Sequence, residues 1–360
     1  MKIGIITQPL SRNYGGILQN YALQQTLIKL GHTPYTFDLD ILFTWKDWTI
    51  WTLKSIVKLI IGRSYTFPQT PYEIEAQESI LRSFVEKNIQ LIVPRIKRLT
   101  VDPILKNNLD AIIVGSDQVW RPIYNYDIKD MYLQFAKDLN IKRIAYAASF
   151  GTDECEYTEE QMQICKNLAQ KFDAISVRER SGVELCKKYF NISADFVIDP
   201  TLLLTAKEYN KLLMRMPESK SRYLFAYVLD KTEEKIKYVK RVAKDMGVDI
   251  VIKGADSQLA ADDSIEKWLS NFRNAEYIIT DSFHGSVFSI IFNKPFVALG
   301  NKFRGACRFN SLLGILSLEN RLVDLYKNDT LPLDTPNWVE INDKLNTYRN
   351  KSLEFLKVNL

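Results

Sequence analysis

A short apolar segment, a polar turn and an amphipathic helix follow one another repeatedly along this chain, and that alternation constrains its fold more than any other feature. The apolar segments are short and largely uninterrupted, which is typical of strands in a parallel sheet that is covered by helices on both faces. We therefore predict an α/β protein built from doubly wound sheets. The predicted strands are residues 2–7, 111–114, 143–149, 174–177, 196–198, 223–229, 248–253, 276–280 and 295–299.

The alternation is interrupted between Thr201 and Tyr223 by a short helical pattern and a polar stretch. Since 360 residues are enough for two domains, we expect two Rossmann-like domains that face each other across a cleft. The predicted regions are an N-terminal domain over 1–205 with a helical insertion near 41–90, a linker region over 206–222, and a C-terminal domain over 223–360.

Apolar residues recur at helical spacing close to the C-terminus, where the sequence has Trp338, Ile341, Leu345 and Tyr348. This spacing predicts a final amphipathic helix. We expect that helix to pack back across both domains.

Composition excludes several classes of protein. A net charge of +5 is too mild to indicate nucleic-acid binding, and it suits small acidic ligands or an anionic membrane surface. Four cysteines without paired spacing and two histidines predict reduced thiols and no metal site. The first residues do not resemble a signal peptide, and no apolar run reaches the roughly 18 residues of a spanning helix. We therefore expect a cytoplasmic protein, with peripheral contact to the inner face of the plasma membrane left open.

That membrane question arises from residues 45–63, which read WKDWTIWTLKSIVKLIIGR. Lys46, Lys54 and Lys58 fall on one helical face, and tryptophan and aliphatic residues cover the rest. Such a composition suits a helix that lies in a membrane interface. It also suits an insertion packed on its own domain, because tryptophan is a good core residue.

Polar residues gather at the predicted carboxyl ends of the strands, where ligands of α/β sheets bind. The first group lies in the predicted loop 8–16, before a helix predicted at 17–30, and contains Asn13, Tyr14, Gly15 and Gly16. The two glycines would let the backbone approach a ligand, and the helix N-terminus could receive an anion. The pattern matches no nucleotide-binding loop, so an ordinary turn is the alternative.

Two further groups follow the strands predicted at 111–114 and 174–177. Ser116, Asp117 and Gln118 are difficult to explain by packing, although Asp117 could cap a helix. Arg178 stands at a strand end, where its guanidinium could hold a carboxylate or phosphate through two hydrogen bonds. The alternative for Arg178 is an ion pair with Glu179 or Asp195.

The fourth group is the stretch TDSFHG, in which Asp281, Ser282 and His284 leave a strand and Gly285 opens a predicted helix over 286–292. A histidine at a strand end beside a helix N-terminus is placed for proton transfer near an anionic substrate. Downstream, Lys302, Arg304 and Arg308 add positive charge to the same rim. Together the four groups indicate an enzyme that binds a small polyanion between two domains.

The motifs as a set resemble those of the polysaccharide pyruvyl transferase family. The stretches NYGGILQNYALQQTLIKLGH, IIVGSDQVWRP, ISVRERSG, VIDPTLLL and TDSFHGSVFSIIFNKPFV occur in the family's order, and the resemblance extends to about residue 313. It implies a GT-B-like pair of domains, with the acceptor on the N-terminal side and the donor on the C-terminal side.

The resemblance also implies transfer of pyruvate from phosphoenolpyruvate to a sugar, giving a cyclic ketal that is commonly 4,6-linked. The acceptor would be a surface-polysaccharide precursor, often lipid-linked, for capsule or exopolysaccharide synthesis. Phosphoenolpyruvate is a co-substrate, and no further cofactor is expected. We assign proton transfer to His284; donor binding to Arg178, Ser282, Phe283, Gly285, Arg304 and Arg308; and the acceptor side of the cleft to Asn13, Tyr14, Gly15, Gly16, Ser116, Asp117, Gln118 and Asp281.

One departure from the family pattern concerns the donor. Many members have D-R-L-H-G where this chain reads Asp281-Ser-Phe-His-Gly285, so Ser282 replaces an arginine. We expect Lys302, Arg304 or Arg308 to take over its role. Two alternatives stay open: a GT-B-type glycosyltransferase that uses a nucleotide sugar, and a non-catalytic binding protein of capsule assembly.

Overall fold

Two all-parallel sheets organise the chain in a computed structural model that describes residues 1–40, 45–60, 70–218, 221–254, 263–300, 306–325 and 332–360. Within these residues, the first sheet has seven strands in the order β3-β2-β1-β4-β5-β6-β7. These strands are β1 (Lys2–Ile6), β2 (Thr33–Leu39), β3 (Leu91–Ile96), β4 (Ala111–Gly115), β5 (Lys142–Ala148), β6 (Ala174–Val177) and β7 (Asp195–Phe196).

The second sheet has five strands among the described residues, in the order β12-β11-β10-β8-β9. They are β8 (Tyr223–Tyr227), β9 (Asp249–Lys253), β10 (Tyr277–Thr280), β11 (Phe296–Leu299) and β12 (Leu322–Val323). The two parallel sheets confirm the predicted α/β class. The predicted domain limits stay predictions, with 206–222 lying between the two sheets.

Helices connect the strands, as right-handed parallel crossovers require. Those of the first half are α1 (Tyr14–Lys29), α2 (Trp45–Ile60), α3 (Pro71–Asn88), α4 (Asp102–Asn107), α5 (Glu159–Ala169), α6 (Arg180–Leu185) and α7 (Ala206–Leu212). Those of the second half are α8 (Glu233–Met246), α9 (Ile265–Asn274), α10 (Phe283–Ile291), α11 (Ala306–Ile315) and α12 (Trp338–Asn359). No helix within the described ranges has both the length and the apolar character needed to cross a bilayer.

Several predicted boundaries were wrong, and the errors concern the site. The loop predicted over 8–16 ends at Asn13, because α1 begins at Tyr14 and takes Gly15 and Gly16 into its first turn. The helix predicted over 286–292 begins at Phe283, so that His284 is helical. The strand predicted over 196–198 is Asp195–Phe196.

Each sheet has a point where successive connections leave in opposite directions, between β1 and β4 in the first sheet and between β8 and β10 in the second. Loops diverge there and leave a crevice beyond the carboxyl ends of the strands. The segments after β1, β4 and β10 carry three of the polar groups singled out in the sequence, and the group with Arg178 follows β6.

The helix α12 crosses from one half to the other, as predicted. Near its start, Asn342 Nδ2 donates to Asn293 Oδ1 at 3.3 Å in the second half. Near its end, Ile198 N donates to Ser352 Oγ at 3.0 Å, and Lys142 Nζ donates to the Asn359 carbonyl at 2.9 Å, both in the first half. Leu345, Phe355 and Leu356 pack into the main core and hold α12 in place across the two halves.

The two halves also meet directly through aromatic rings. Tyr14, in the first turn of α1, stacks on Trp268 of α9 with centroids 5.2 Å apart and meets Tyr227 edge-on at 6.4 Å. Its hydroxyl donates to the Asp263 carbonyl at 2.9 Å. The N-terminus of α1 is therefore anchored on the second half of the chain.

Candidate functional site

A cleft of about 680 Å³ opens where the two crevices face each other. Both halves of the chain line it, and its volume is within the usual range for a small-molecule site. The lining residues are Gln8, Pro9, Ser11, Arg12, Asn13, Tyr14, Gly15, Gly16, Asp117, Gln118, Tyr124, Tyr227, Leu229, Gly254, Asp281, Ser282, Phe283, His284 and Arg308.

The N-terminus of α1 forms one wall of the cleft. Asn13 is the N-cap residue by position, yet its side chain makes no capping bond and instead donates from Nδ2 to Asp117 Oδ2 at 3.2 Å. The N–H groups of the first turn therefore lack a side-chain cap. The positive end of a 16-residue helix that has no side-chain cap favours an anion in the cleft.

The floor of the cleft rests on a buried ion-pair network centred on Arg178. Arg178 Nη2 donates to Asp117 Oδ1 at 3.0 Å, and Nη1 donates to Asp199 Oδ2 at 2.6 Å. The Arg178 side chain is fully buried and is not part of the cleft lining. Its partners are thus neither Glu179 nor Asp195, and its assignment as a donor-binding residue stays a prediction.

Neighbouring charged groups keep the carboxylates of Asp117 and Asp199 ionised. Burial acts to raise the pKa of Asp117, but Arg178, His284 and Arg308 more than offset it and leave that pKa below its ordinary value. Burial also acts to raise the pKa of Asp199, and His284 and Arg178 again reverse the effect, holding it well below the usual range. Asp117 has a left-handed backbone (φ 68°), an uncommon conformation that is concentrated at functional sites, and it caps no helix.

His284 lies in the first turn of α10 and faces residues of the other half. Ser282 caps this helix by accepting the Gly285 N–H at 3.3 Å. The imidazole Nε2 is buried 3.7 Å from Asp199 Oδ2, and the other side of the ring lies against Gly15. A Cβ at position 15 would stand 2.0 Å from His284 Nδ1, so the ring fits only because residue 15 is glycine.

Two residues predicted for the site, Asp281 and Gly285, have contacts within the protein that account for them structurally. Asp281 accepts the backbone N–H groups of Leu229 and Asp230, at 2.6 and 3.1 Å, and an Nζ donor from Lys235 at 2.7 Å. Gly285 does not line the cleft; a Cβ there would be 2.1 Å from Thr280 Oγ1, which explains the glycine by close packing.

Arg308, from α11, supplies a buried cation to the cleft wall. Its guanidinium lies 5.7 Å from the Phe283 ring centroid, and Arg178 lies 4.8 Å from the same ring. Burial and the neighbouring Arg178 lower the pKa of Arg308, but an arginine stays charged near neutral pH. Lys302 and Arg304 lie outside the described residues.

Most residues predicted for the site do meet in one place. Asn13, Tyr14, Gly15, Gly16, Asp117, Gln118, Asp281, Ser282, Phe283, His284 and Arg308 line the cleft. Ser116 lies beneath it, fully buried, and donates from Oγ to Asp199 Oδ2 at 3.3 Å. Over the described part of the chain, no three histidine, cysteine or acidic residues are grouped so as to hold a metal ion.

Sequence reasoning missed Asp199 and Tyr124. Asp199 follows the apolar pair Val197-Ile198 at a strand end, the same signal that identified Asp117, and could have been found that way. Tyr124, in the short 3₁₀ helix Pro122–Tyr124, carries no such signal because it does not stand at a strand end but well beyond the end of β4 at Gly115.

Comparison with known proteins gives one sequence match and several structural ones. A model of the family described as polysaccharide pyruvyl transferase matches residues 13–302. No curated protein sequence matches the chain.

Among solved structures, the chain is similar to UDP-GlcNAc 2-epimerase from Neisseria meningitidis bound to UDP-GlcNAc, with 11% identity, 99% of this chain and 94% of that chain covered, and a TM-score of 0.47. It is also similar to MurG from Acinetobacter baumannii, at 10% identity, 99% and 94% coverage and a TM-score of 0.41. UGT89C1 of Arabidopsis thaliana complexed with UDP has 11% identity, 99% coverage of both chains and a TM-score of 0.47.

Proposed function

The chain belongs to the polysaccharide pyruvyl transferase family, and we propose that it transfers pyruvate from phosphoenolpyruvate to two hydroxyls of a sugar in a surface-polysaccharide precursor. The product would be a cyclic ketal, commonly 4,6-linked, together with free phosphate. One observation carries this proposal: a histidine, a buried arginine and an uncapped helix N-terminus line the same cleft. Those are the groups that a small polyanion and a proton transfer need.

The reaction balances without any further reactant. A sugar hydroxyl attacks the second carbon of phosphoenolpyruvate while the methylene carbon gains a proton and becomes a methyl group. The C–O bond to phosphate then breaks, and a second hydroxyl attacks the same carbon to close the ring. Of the two protons that the hydroxyls lose, one ends on the methyl carbon and the other on the phosphate.

His284 is the group in this cleft that we assign to proton transfer. It lines the cleft and lies on the helix that Ser282 caps, so its backbone is fixed relative to β10. As a general base it would take the proton of the attacking hydroxyl, a contribution of about 10²–10⁴ in rate. Its position against Asp199 and Gly15 supports one defined ring orientation.

Arg308 is the residue that we assign to the role of the family arginine replaced by Ser282. It is buried and lines the cleft, and its guanidinium lies over the same Phe283 ring as that of Arg178. A guanidinium in that position can bind the carboxylate or the phosphate in bidentate fashion. The first-turn N–H groups of α1 would receive the other anionic group of the donor.

The reaction is tested by incubating the protein with phosphoenolpyruvate and a panel of free and lipid-linked galactosides and mannosides. We expect phosphate release and an acceptor that gains the mass of a pyruvate ketal. His284→Gln, which keeps a polar side chain of similar size, should abolish both, while His32→Gln should leave both unchanged. Turnover with a nucleotide sugar but not with phosphoenolpyruvate would instead establish the glycosyltransferase alternative.

The helix α2 supports a further part of the proposal, peripheral contact with an anionic membrane that carries the acceptor. Ile50, Leu53 and Val57 recur at helical spacing, and Leu53 and Val57 are 62% and 56% exposed. Lys46 and Lys54 lie beside them on the exposed surface, and their charge suits anionic headgroups.

Membrane contact is tested by sedimentation with anionic liposomes. We expect binding that weakens as salt is added, and that is lost in the double variant Leu53→Gln, Val57→Gln. Val339→Gln is the matched control, because Val339 is 75% exposed on α12, far along the chain from α2. Equal sedimentation of all three proteins would refute the role of α2.

A further inference from the structure

The imidazole of His284 presents one nitrogen to the protein interior. Nε2 is buried and has no hydrogen-bond partner among the described residues. The nearest acidic oxygen is Asp199 Oδ2, at 3.7 Å, which is beyond hydrogen-bond length but within ion-pair range. Interactions at catalytic sites are often this long in the free enzyme and shorten when substrate binds.

Asp199 is held so firmly that it can act as a fixed reference for the ring. Its Oδ1 accepts Thr201 N at 3.0 Å and Thr201 Oγ1 at 2.6 Å. Its Oδ2 accepts Arg178 Nη1 at 2.6 Å and Ser116 Oγ at 3.3 Å. The side chain is fully buried, so water does not compete for these contacts.

The opposite nitrogen, Nδ1, lies against the first turn of α1. It is the ring atom closest to the Cβ position of Gly15, and both residues line the cleft. The positive end of α1 disfavours a proton on Nδ1, because that nitrogen lies beside the first turn of the helix. The Asp199 carboxylate has the opposite effect on Nε2, where it favours a proton.

We propose that Asp199 is a positioning residue that holds His284 as the Nε2–H tautomer, so that Nδ1 is the atom that accepts the proton of the acceptor hydroxyl. The role of Nδ1 as proton acceptor rests on the proposed function, whereas the Nε2–H tautomer does not. Asp117, Arg178 and Arg308 are the other charged groups near this ring. The two arginines interact with the carboxylates, and Asp199 is the anion closest to Nε2.

The chain allows a direct test, because its histidines are only His32 and His284. Nitrogen-15 labelling of histidine gives two sets of ring signals, and His32→Gln assigns them. The two nitrogens of a neutral ring have widely separated shifts, so a pH series read at its alkaline end identifies the tautomer. We expect the Nε2–H form for His284 in the unmodified sequence, and an Nδ1–H ring would overturn the proposal.

Asp199→Asn then tests the cause. We expect the His284 signals to move towards a mixture of tautomers and kcat to fall on the order of 10²-fold, with the KM for phosphoenolpyruvate little changed. Asp38→Asn is the matched control, because Asp38 is equally buried and also paired with an arginine, but its ion pairs are with Arg82 and Arg95 and not with His284. Unchanged His284 signals in Asp199→Asn would refute the role of Asp199.

The two proposals fail in distinguishable ways, since the tautomer is read without any substrate. A ring of the Nε2–H form in a protein that does not use phosphoenolpyruvate leaves the inference standing and removes the proposed reaction. Pyruvyl transfer by a protein whose His284 carries its proton on Nδ1 would support the proposed reaction and refute the inference about Asp199.

Discussion

Replacing Gly15 by alanine is the sharpest test of how the cleft is assembled. The new Cβ would lie 2.0 Å from His284 Nδ1, 2.2 Å from Cγ and 2.7 Å from Cε1. Since ordinary contact begins at 3.4 Å, the ring has to move by about 1.4 Å relative to α1. The clash involves a rigid ring and not the end of a flexible side chain, so a small rotamer change does not relieve it.

The structure allows both effects of Gly15→Ala to be sized. Overpacking of this kind costs about 1–3 kcal/mol, and alanine in a helix returns about 0.5–1 kcal/mol, so stability should fall by at most about 2.5 kcal/mol. A displacement of about 1 Å at a reacting group costs on the order of 10²-fold in rate. We therefore expect kcat/KM to fall at least that far while the protein remains folded.

The assay is phosphate release with phosphoenolpyruvate and acceptor, paired with urea unfolding and the His284 ring signals. Gly314→Ala is the control, because Gly314 is also helical, in α11, and a Cβ there meets nothing closer than 3.8 Å. That variant should be as active as the unmodified protein and slightly more stable. A Gly15→Ala protein with kcat/KM within a few-fold of normal and unshifted ring signals would refute the reasoning.

Two other perturbations follow from the charges of the described residues. Arg308→Lys removes the bidentate guanidinium and should raise the KM for phosphoenolpyruvate about 10-fold or more in steady-state kinetics; an unchanged KM would exclude Arg308 as a donor ligand. Burial and the nearby Asp127 raise the pKa of Asp130 to about 6, so the folded state loses stability as the pH rises from about 4 through 6. Asp130→Asn should accordingly raise the free energy of unfolding by about 1 kcal/mol at pH 8 after allowance for solvent screening, and should not raise it at pH 4, as measured by urea titration.

The alternation of apolar strands and amphipathic helices was sufficient to predict the α/β class and nine of the twelve strands among the described residues. It did not predict β3, β12 or β2, and the reason is clearest for β2. Thr36 and Asp38 in that strand are polar and fully buried, which conceals the apolar run. Thr36 Oγ1 donates to Asn20 Oδ1 at 2.9 Å, and Asp38 accepts two hydrogen bonds from Arg82. Partners that lie 16 and 44 residues away leave no local pattern from which such a strand could be recognised.

The site could be predicted as a set of strand ends but not as a set of contacts. The carboxyl-end rule places Asp117, Arg178 and His284 at one rim without saying which side chain faces the ligand. The donor-binding role of Arg178 stays a prediction, and its pairing with Asp117 and Asp199 could not be predicted, because the segments after β4 and β7 bring these carboxylates to the end of β6. That depends on strand order, which a single strand's residues do not encode.

The surroundings of His284, to which we assign proton transfer, come from both halves of the chain. His284 belongs to the second half of the chain, while Asp199 and Gly15, on either side of its ring, belong to the first. Tyr14 is the residue next to Gly15, and its stacking on Trp268 holds α1 to the second half at that point. Separation of the halves would therefore withdraw the histidine from its carboxylate and break an aromatic stack at the same time. The proton transfer proposed for His284 therefore requires the two halves to be in contact at this point.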